Sequence, residues 1–264
     1  MDLELKGKSV VVTGGGSNIG RGIVLGFAEE GANITIGDID EGQTRKVAEL
    51  ALKNGASGVQ VVKTDVTNLD QVKAMFAAAV NKYGTVDSLV NNVGWDKLNF
   101  FMETTPEFWN KVIQINYVGV LNCTRAALEI MIPKKVGSIV SISSDASRQG
   151  ESREAVYGGA KAAVNGFMKS IARENGRDGI RCNVVCPGVT IPDNRSEAGS
   201  ISMWVNKDDV FTPEQVIKVA KALPLKKLGT ARDIADAVVF LSSVRAGHIT
   251  GQVLSVSGGY SMVG

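Results

Sequence analysis

One histidine, three cysteines and six prolines stand in a chain of 264 residues, and each scarcity excludes something. With His248 alone, a His-rich metal site is ruled out and no metal is expected. A Ser-His-Asp triad would have to use that one residue, and no GxSxG elbow is present to support it. Cys123, Cys182 and Cys186 are an odd number without CxxC spacing, which reads as buried, reduced thiols. Excess charge is equally scarce: the formal net charge is +2. That gives little electrostatic reason for a nucleic acid or an acidic membrane as partner. No apolar run approaches the roughly 18 residues that span a bilayer. Residues 1–6 contain no apolar signal region, so a cytoplasmic protein is expected.

What is present is an alternation. Hydrophobic residues make up 44% of the chain and glycines number 30, which suits a soluble protein with many tight strand-to-helix turns. Short β-branched runs predict strands at 8–13, 33–37, 58–63, 86–91, 138–143, 180–185 and 253–256. Helical spacing predicts helices at 18–30, 41–53, 69–82, 106–131, 155–175 and 231–243, with Pro133 closing the fourth. Apolar strands alternating with amphipathic helices imply parallel βαβ units and a sheet buried on both faces. The expectation is one α/β domain over 1–264, doubly wound, with a seven-stranded parallel sheet flanked by helices. The stretch 189–223 breaks the rhythm. It reads as an irregular polar connection after the sixth strand, placed to act as a substrate lid.

The turn after the first strand runs Thr13-Gly14-Gly15-Gly16-Ser17-Asn18-Ile19-Gly20. Glycines let backbone approach a pyrophosphate, and the helix that follows presents free N–H groups and a positive dipole end. Gly14, Ser17, Asn18, Ile19 and Gly20 are therefore expected to bind a dinucleotide. Asp38, followed by Ile39, ends the second strand, where a carboxylate accepts from ribose hydroxyls and repels a 2′-phosphate. The residue before it is Gly37, not a basic one, so NAD is expected over NADP. The competing reading is that Asp38 caps the next helix. Asp65-Val66 and Asn91-Asn92-Val93-Gly94 end the third and fourth strands along the same ligand. Tyr157 and Lys161 share one helix face. A tyrosine titrates near pH 10, so acid/base work near neutrality needs a neighbouring ammonium. Ser144 ends the fifth strand upstream of them, with Ser141 and Ser143 as rivals.

With these residues in this order, the chain resembles the short-chain dehydrogenase/reductase family over nearly its whole length. The resemblance implies a Rossmann fold and hydride transfer between a nicotinamide and a secondary alcohol or ketone. It implies Tyr157 as acid/base, Lys161 as its electrostatic partner and a ribose ligand, and Ser144 on the substrate oxygen. It implies Asn116 as holder of a water that links Lys161 to solvent. Pro187-Gly188 matches the turn beside the nicotinamide, with Val189 and Thr190 on the carboxamide. The resemblance also implies a homotetramer. Three positions depart from the family pattern. Asn18 stands for the second glycine, Val93 for an alanine, and Pro192 where a threonine often holds the carboxamide.

For the substrate, Trp95, Met203 and Trp204 are expected to wall a ring, and Arg148, Arg153 and Arg195 to meet an anionic group. Gly94-Trp95-Asp96 and the stretch 154–157 resemble dehydrogenases of 2-hydroxycyclohexanecarboxyl-CoA. The implied substrate is a cyclic or aryl hydroxy acid or its CoA thioester. The alternatives are a neutral cyclic or aryl alcohol, a non-catalytic nucleotide-binding subunit, or a lyase or epimerase on the same fold.

Overall fold

A computed structural model describes residues 1–192, 194, 197–199, 201–202 and 211–263. Seven parallel strands form one sheet: β1 Ser9–Thr13, β2 Asn33–Asp38, β3 Gly58–Lys63, β4 Ser88–Asn91, β5 Gly137–Ile142, β6 Ile180–Pro187 and β7 Val253–Val256. Their order is β3-β2-β1-β4-β5-β6-β7. The order reverses between β1 and β4, and a crevice for ligands opens beyond the carboxyl ends of strands at such a point.

Alternation along β1 distributes the core. Val10 and Val12 join the layer on one face, and Val11 joins the other. The first face carries helices α1 Asn18–Glu29 and α2 Glu41–Lys53. The second carries α3 Leu69–Tyr83, which starts on an Asn68 side-chain cap and stops at Gly84 in the left-handed conformation.

The expected long fourth helix is divided. It comprises α4 Pro106–Ile113, a π turn Gln114–Val118, and α5 Gly119–Lys134, whose last turn contains Pro133. After β5 come a short α6 Ala146–Gln149 and the long α7 Ala155–Asn175.

The stretch 189–223 is not irregular throughout, because α8 Pro213–Ala222 lies within it. Its start is a capping box, in which Thr212 Oγ1 accepts from the Gln215 amide and Gln215 Oε1 accepts from the Thr212 amide. The last helix, α9 Ala231–Ser242, begins on a similar box between Thr230 and Asp233. It packs against α1, where a β-carbon at Gly22 would lie 2.7 Å from that of Ala231. All three cysteines are buried thiols in the second layer. Burial pushes Cys123 and Cys182 up to about 12. Among the described residues, no helix is long and apolar enough to cross a membrane.

Candidate active site

A single cavity of about 1770 Å³ runs along the carboxyl ends of the strands, from the glycine turn to Tyr157 and beyond. At the turn, Gly14 has φ +65°, and a β-carbon on Gly20 would collide with the Gly14 carbonyl oxygen. The Asn92 amide donates to the carbonyls of Thr13 (3.1 Å) and Gly14 (2.9 Å), so the β4 turn braces the glycine turn. Asn18 occupies its place with φ +40°, a conformation that asparagine tolerates better than most residues. Its side-chain amide also reaches the Thr190 carbonyl at 3.0 Å, joining the turn to the segment after β6.

Asp38 accepts from the backbone amides of Gly16 (2.9 Å) and Asp40 (3.0 Å). Burial raises its carboxyl above the usual range, opposed by those amides. Asp38 does not cap α2. That task falls to Asp40, whose side chain accepts from the Gln43 amide. Gly16, Ser17, Ile39, Asp40, Gln43, Thr64 and Asp65 line the cavity around Asp38, and none of them is basic. This cradle of close-approach backbone, helix N-terminus and carboxylate fits a dinucleotide. Two described residues of the stretch 189–223 reach this end. Ser202 and Ser17 share a hydroxyl hydrogen bond of 2.9 Å, and Glu197 pairs with Arg21 at 3.2 Å.

At the far end, α7 presents Tyr157 and Lys161 to the cavity beside Ser144. The Ser144 side chain favours the Tyr157 phenolate, and Lys161 Nζ lies 5.7 Å from the Tyr157 ring centroid. Lys161 is 2% exposed and donates to the Ile142 carbonyl at 3.0 Å. Burial lowers its pKa to about 8. Burial raises Tyr157 above the ordinary phenol value, and the negative charges of Glu154 and Asp96 raise it further. The rival serines are committed elsewhere: Ser141 accepts from Asn91, and Ser143 donates to the Lys161 carbonyl.

Asn116 is fully buried in the π turn, behind Gly94. Its side chain accepts from the Trp95 amide and donates to the carbonyls of Trp95 and Val112. Asn116 therefore holds the β4 turn and does not line the cavity, a separation that sequence order does not reveal. π turns inside helices recur at functional sites.

Ile19, Val66, Val93, Gly94, Pro187, Gly188, Val189 and Thr190 all line the cavity. Trp95 does too, packed against Phe108 and beneath Lys111 Nζ at 3.8 Å from its ring centroid. Arg153 reaches the wall but donates to the Leu98 carbonyl and lies over the Phe100 ring. Arg148 is not among the lining residues. It pairs with buried Asp145 at 3.9 Å, because α6 turns its side chain away from the cavity. Arg195, Met203 and Trp204 lie outside the described residues. The sequence pointed to the segments around Trp95 and Arg153, but the charge they bring beside Tyr157 is acidic, from Asp96, Glu151 and Glu154.

Known proteins resemble this chain throughout. A family model described as enoyl-(acyl carrier protein) reductase matches residues 14–261. The 3-oxoacyl-(acyl-carrier-protein) reductase of Chlamydia muridarum is 36% identical over 259 residues, covering 98% of this chain and 99% of its own. The oxidoreductase UcpA of Salmonella typhimurium is 36% identical over 263 residues, covering 98% and 96%. The crystal structure of levodione reductase superposes with a TM-score of 0.88 at 28% identity, covering 97% of this chain and 98% of that one.

Proposed function

The chain belongs to the short-chain dehydrogenase/reductase family, and from that premise we propose that it interconverts a secondary alcohol on or beside a ring with its ketone, using NAD. The observation that carries this reading is the meeting of Tyr157, Ser144 and Lys161 in the lining of one cavity that begins at the glycine turn, with Lys161 Nζ over the Tyr157 ring. When bound, the nicotinamide supplies the hydride acceptor or donor. Tyr157 takes the proton from the substrate hydroxyl in oxidation and returns it in reduction. Ser144 orients the substrate oxygen, and Lys161 favours the phenolate by charge. Asn116 keeps Gly94 and Trp95 in place beside these groups.

Trp95, Leu98, Val219 and Leu223 offer an apolar wall for the ring. Lys97, Lys111, Arg153 and Lys218 also line the cavity, which supports an anionic carrier such as the CoA of a thioester. Family likeness supports a cytoplasmic homotetramer.

The preference for NAD rests on Asp38. A 2′-phosphate would meet Asp38 with Asp40 nearby and no basic residue in the lining around them. Like charges so placed cost several kcal/mol, so kcat/KM with NAD should exceed that with NADP by about a hundred-fold. Following NADH absorbance across a panel of ring alcohols, with each cofactor in turn, tests both parts. Equal values for the two cofactors would refute the NAD assignment.

The phenol also sets a pH dependence. Its proton is held more tightly than in a free tyrosine, and oxidation needs the phenolate. Oxidation should therefore quicken as pH rises, and reduction, which needs the phenol, should slow. Profiles of kcat/KM in both directions read this, and parallel profiles would contradict Tyr157 as the proton carrier.

A further inference from the structure

We propose that Ser147 and Asn165 are positioning residues that set the reach of Ser144 toward the substrate oxygen, by stitching the end of β5 to the helix that carries Tyr157 and Lys161. The inference rests on the alcohol–ketone reading of the site and adds to it two residues that do not line the cavity.

Tyr157, Lys161 and Asn165 follow one another at intervals of four along one side of α7. The first two line the cavity, and Asn165 lies one turn further on. Its side-chain amide donates to Ser147 Oγ at 2.8 Å. Ser147 belongs to α6, the short helix that begins two residues after Ser144. Its hydroxyl donates in turn to the Ser144 carbonyl at 2.6 Å, and the Ser147 amide donates to the same oxygen at 3.0 Å. The Ala146 amide donates to Ser144 Oγ at 3.2 Å. Ser144 is thus held to the first turn of α6 by both its carbonyl and its hydroxyl oxygen, and Ser147 ties that turn to α7.

The fit between the two helices is close. A β-carbon on Gly158, beside Tyr157, would sit 3.0 Å from the Ala146 carbonyl oxygen. Ser143 Oγ donates to the Lys161 carbonyl at 3.0 Å and lies 3.1 Å from Ser147 Oγ. On either side of Ser144 the backbone is fixed to β6 instead: the Ser143 amide donates to the Val185 carbonyl and the Asp145 amide to the Pro187 carbonyl. The sheet therefore fixes where Ser144 stands, and the Asn165–Ser147 bond fixes how it stands against α7. Asn165 keeps that bond against a penalty, since its Oδ1 is buried with no partner among the described residues. Ser144 and the phenol must meet one substrate oxygen together, and a displacement of about 1 Å can cost a hundred-fold in rate.

A double-mutant cycle tests this. Wild type is assayed for NAD reduction with cyclohexanol, 1-phenylethanol and 2-hydroxycyclohexanecarboxyl-CoA. The best substrate is then carried through Ser144→Ala, Ser147→Ala, Asn165→Ala and the pairing of each of the last two with Ser144→Ala. Ser147→Ala should lower kcat by about three- to ten-fold and Asn165→Ala by about two- to ten-fold, with KM for NAD unchanged. In the Ser144→Ala background each should change kcat by less than about two-fold, because the hydroxyl they position is gone. Alanine suits a helix, so Asn165→Ala carries the test if Ser147→Ala fails to fold. An unchanged kcat in both single variants overturns the proposal. So does an equal loss in both backgrounds, which marks a purely structural role, or a rise in KM for NAD as large as the fall in kcat. Oxidation of none of the three alcohols, or a Ser144→Ala variant as fast as wild type, refutes the alcohol–ketone reading and this inference with it.

Discussion

Tyr157→Phe should bind NADH as wild type does and lose turnover by about 10²- to 10⁴-fold, the usual effect of removing a positioned acid/base. Only the hydroxyl disappears. The ring stays beside Lys161, and Ser144 Oγ still accepts from the Ala146 amide. The variant should therefore fold normally, which isolates the chemical loss. Lys161→Ala should behave differently. It removes a buried ammonium, leaves the Ile142 carbonyl without that donor, and takes away a proposed ribose ligand. Both cofactor affinity and turnover should fall. Stopped-flow single turnovers with NADH titrations separate the two cases. Retention by Tyr157→Phe of more than about a tenth of wild-type kcat would contradict the assigned role.

Gly20→Ala should damage the protein more broadly. The new methyl group has two immovable neighbours, the Gly14 carbonyl oxygen and, at 2.5 Å, the Asn92 amide that braces the turn. Forcing a methyl group into packed structure costs about 1–3 kcal/mol, sometimes more. For a chain of this size that lowers Tm by roughly 2–12 °C. Opening the turn should also weaken NADH binding by about a hundred-fold, because the backbone no longer reaches the pyrophosphate. Gly159→Ala and Gly166→Ala in α7 serve as controls. Neither β-carbon meets an atom within 4 Å, so each should stabilise the helix by about 0.5–1 kcal/mol. If Gly20→Ala melts and binds like these controls, the glycine turn is not the cradle described.

The strands were legible because each is a short apolar run closed by glycine or a polar residue, and parallel order follows from the helices between them. The π turn was not legible. Gln114 to Val118 has no proline or glycine to mark it, and apolar spacing continues through it. Helix α8 was hidden by a polar neighbourhood, although Thr212-Pro213-Glu214-Gln215 carries a start signal in its capping box. At the site, Ser144, Tyr157 and Lys161 were readable from position and spacing. The direction of Arg148 was not, since its partner Asp145 competes for it only once α6 has formed. Nor was the placing of Asp96 and Glu154, far apart in sequence, along one cavity.

The packing of α9 on α1 has a bearing on how the chain is made. Among the described residues, the fully buried members of one apolar layer lie between Val11 and Cys186, with Val253 alone added from later in the chain. The other needs Ile234, Ala235 and Val238 against Ile23, Val24 and Phe27. A chain emerging from the ribosome can close the first side of its sheet while the second still waits for its final cover. The earliest helix synthesised stays exposed to water, or to a chaperone, until nearly the last one leaves the exit tunnel. The polypeptide thus possesses Ser144, Tyr157 and Lys161, its proposed catalytic side chains, well before it possesses a sealed interior.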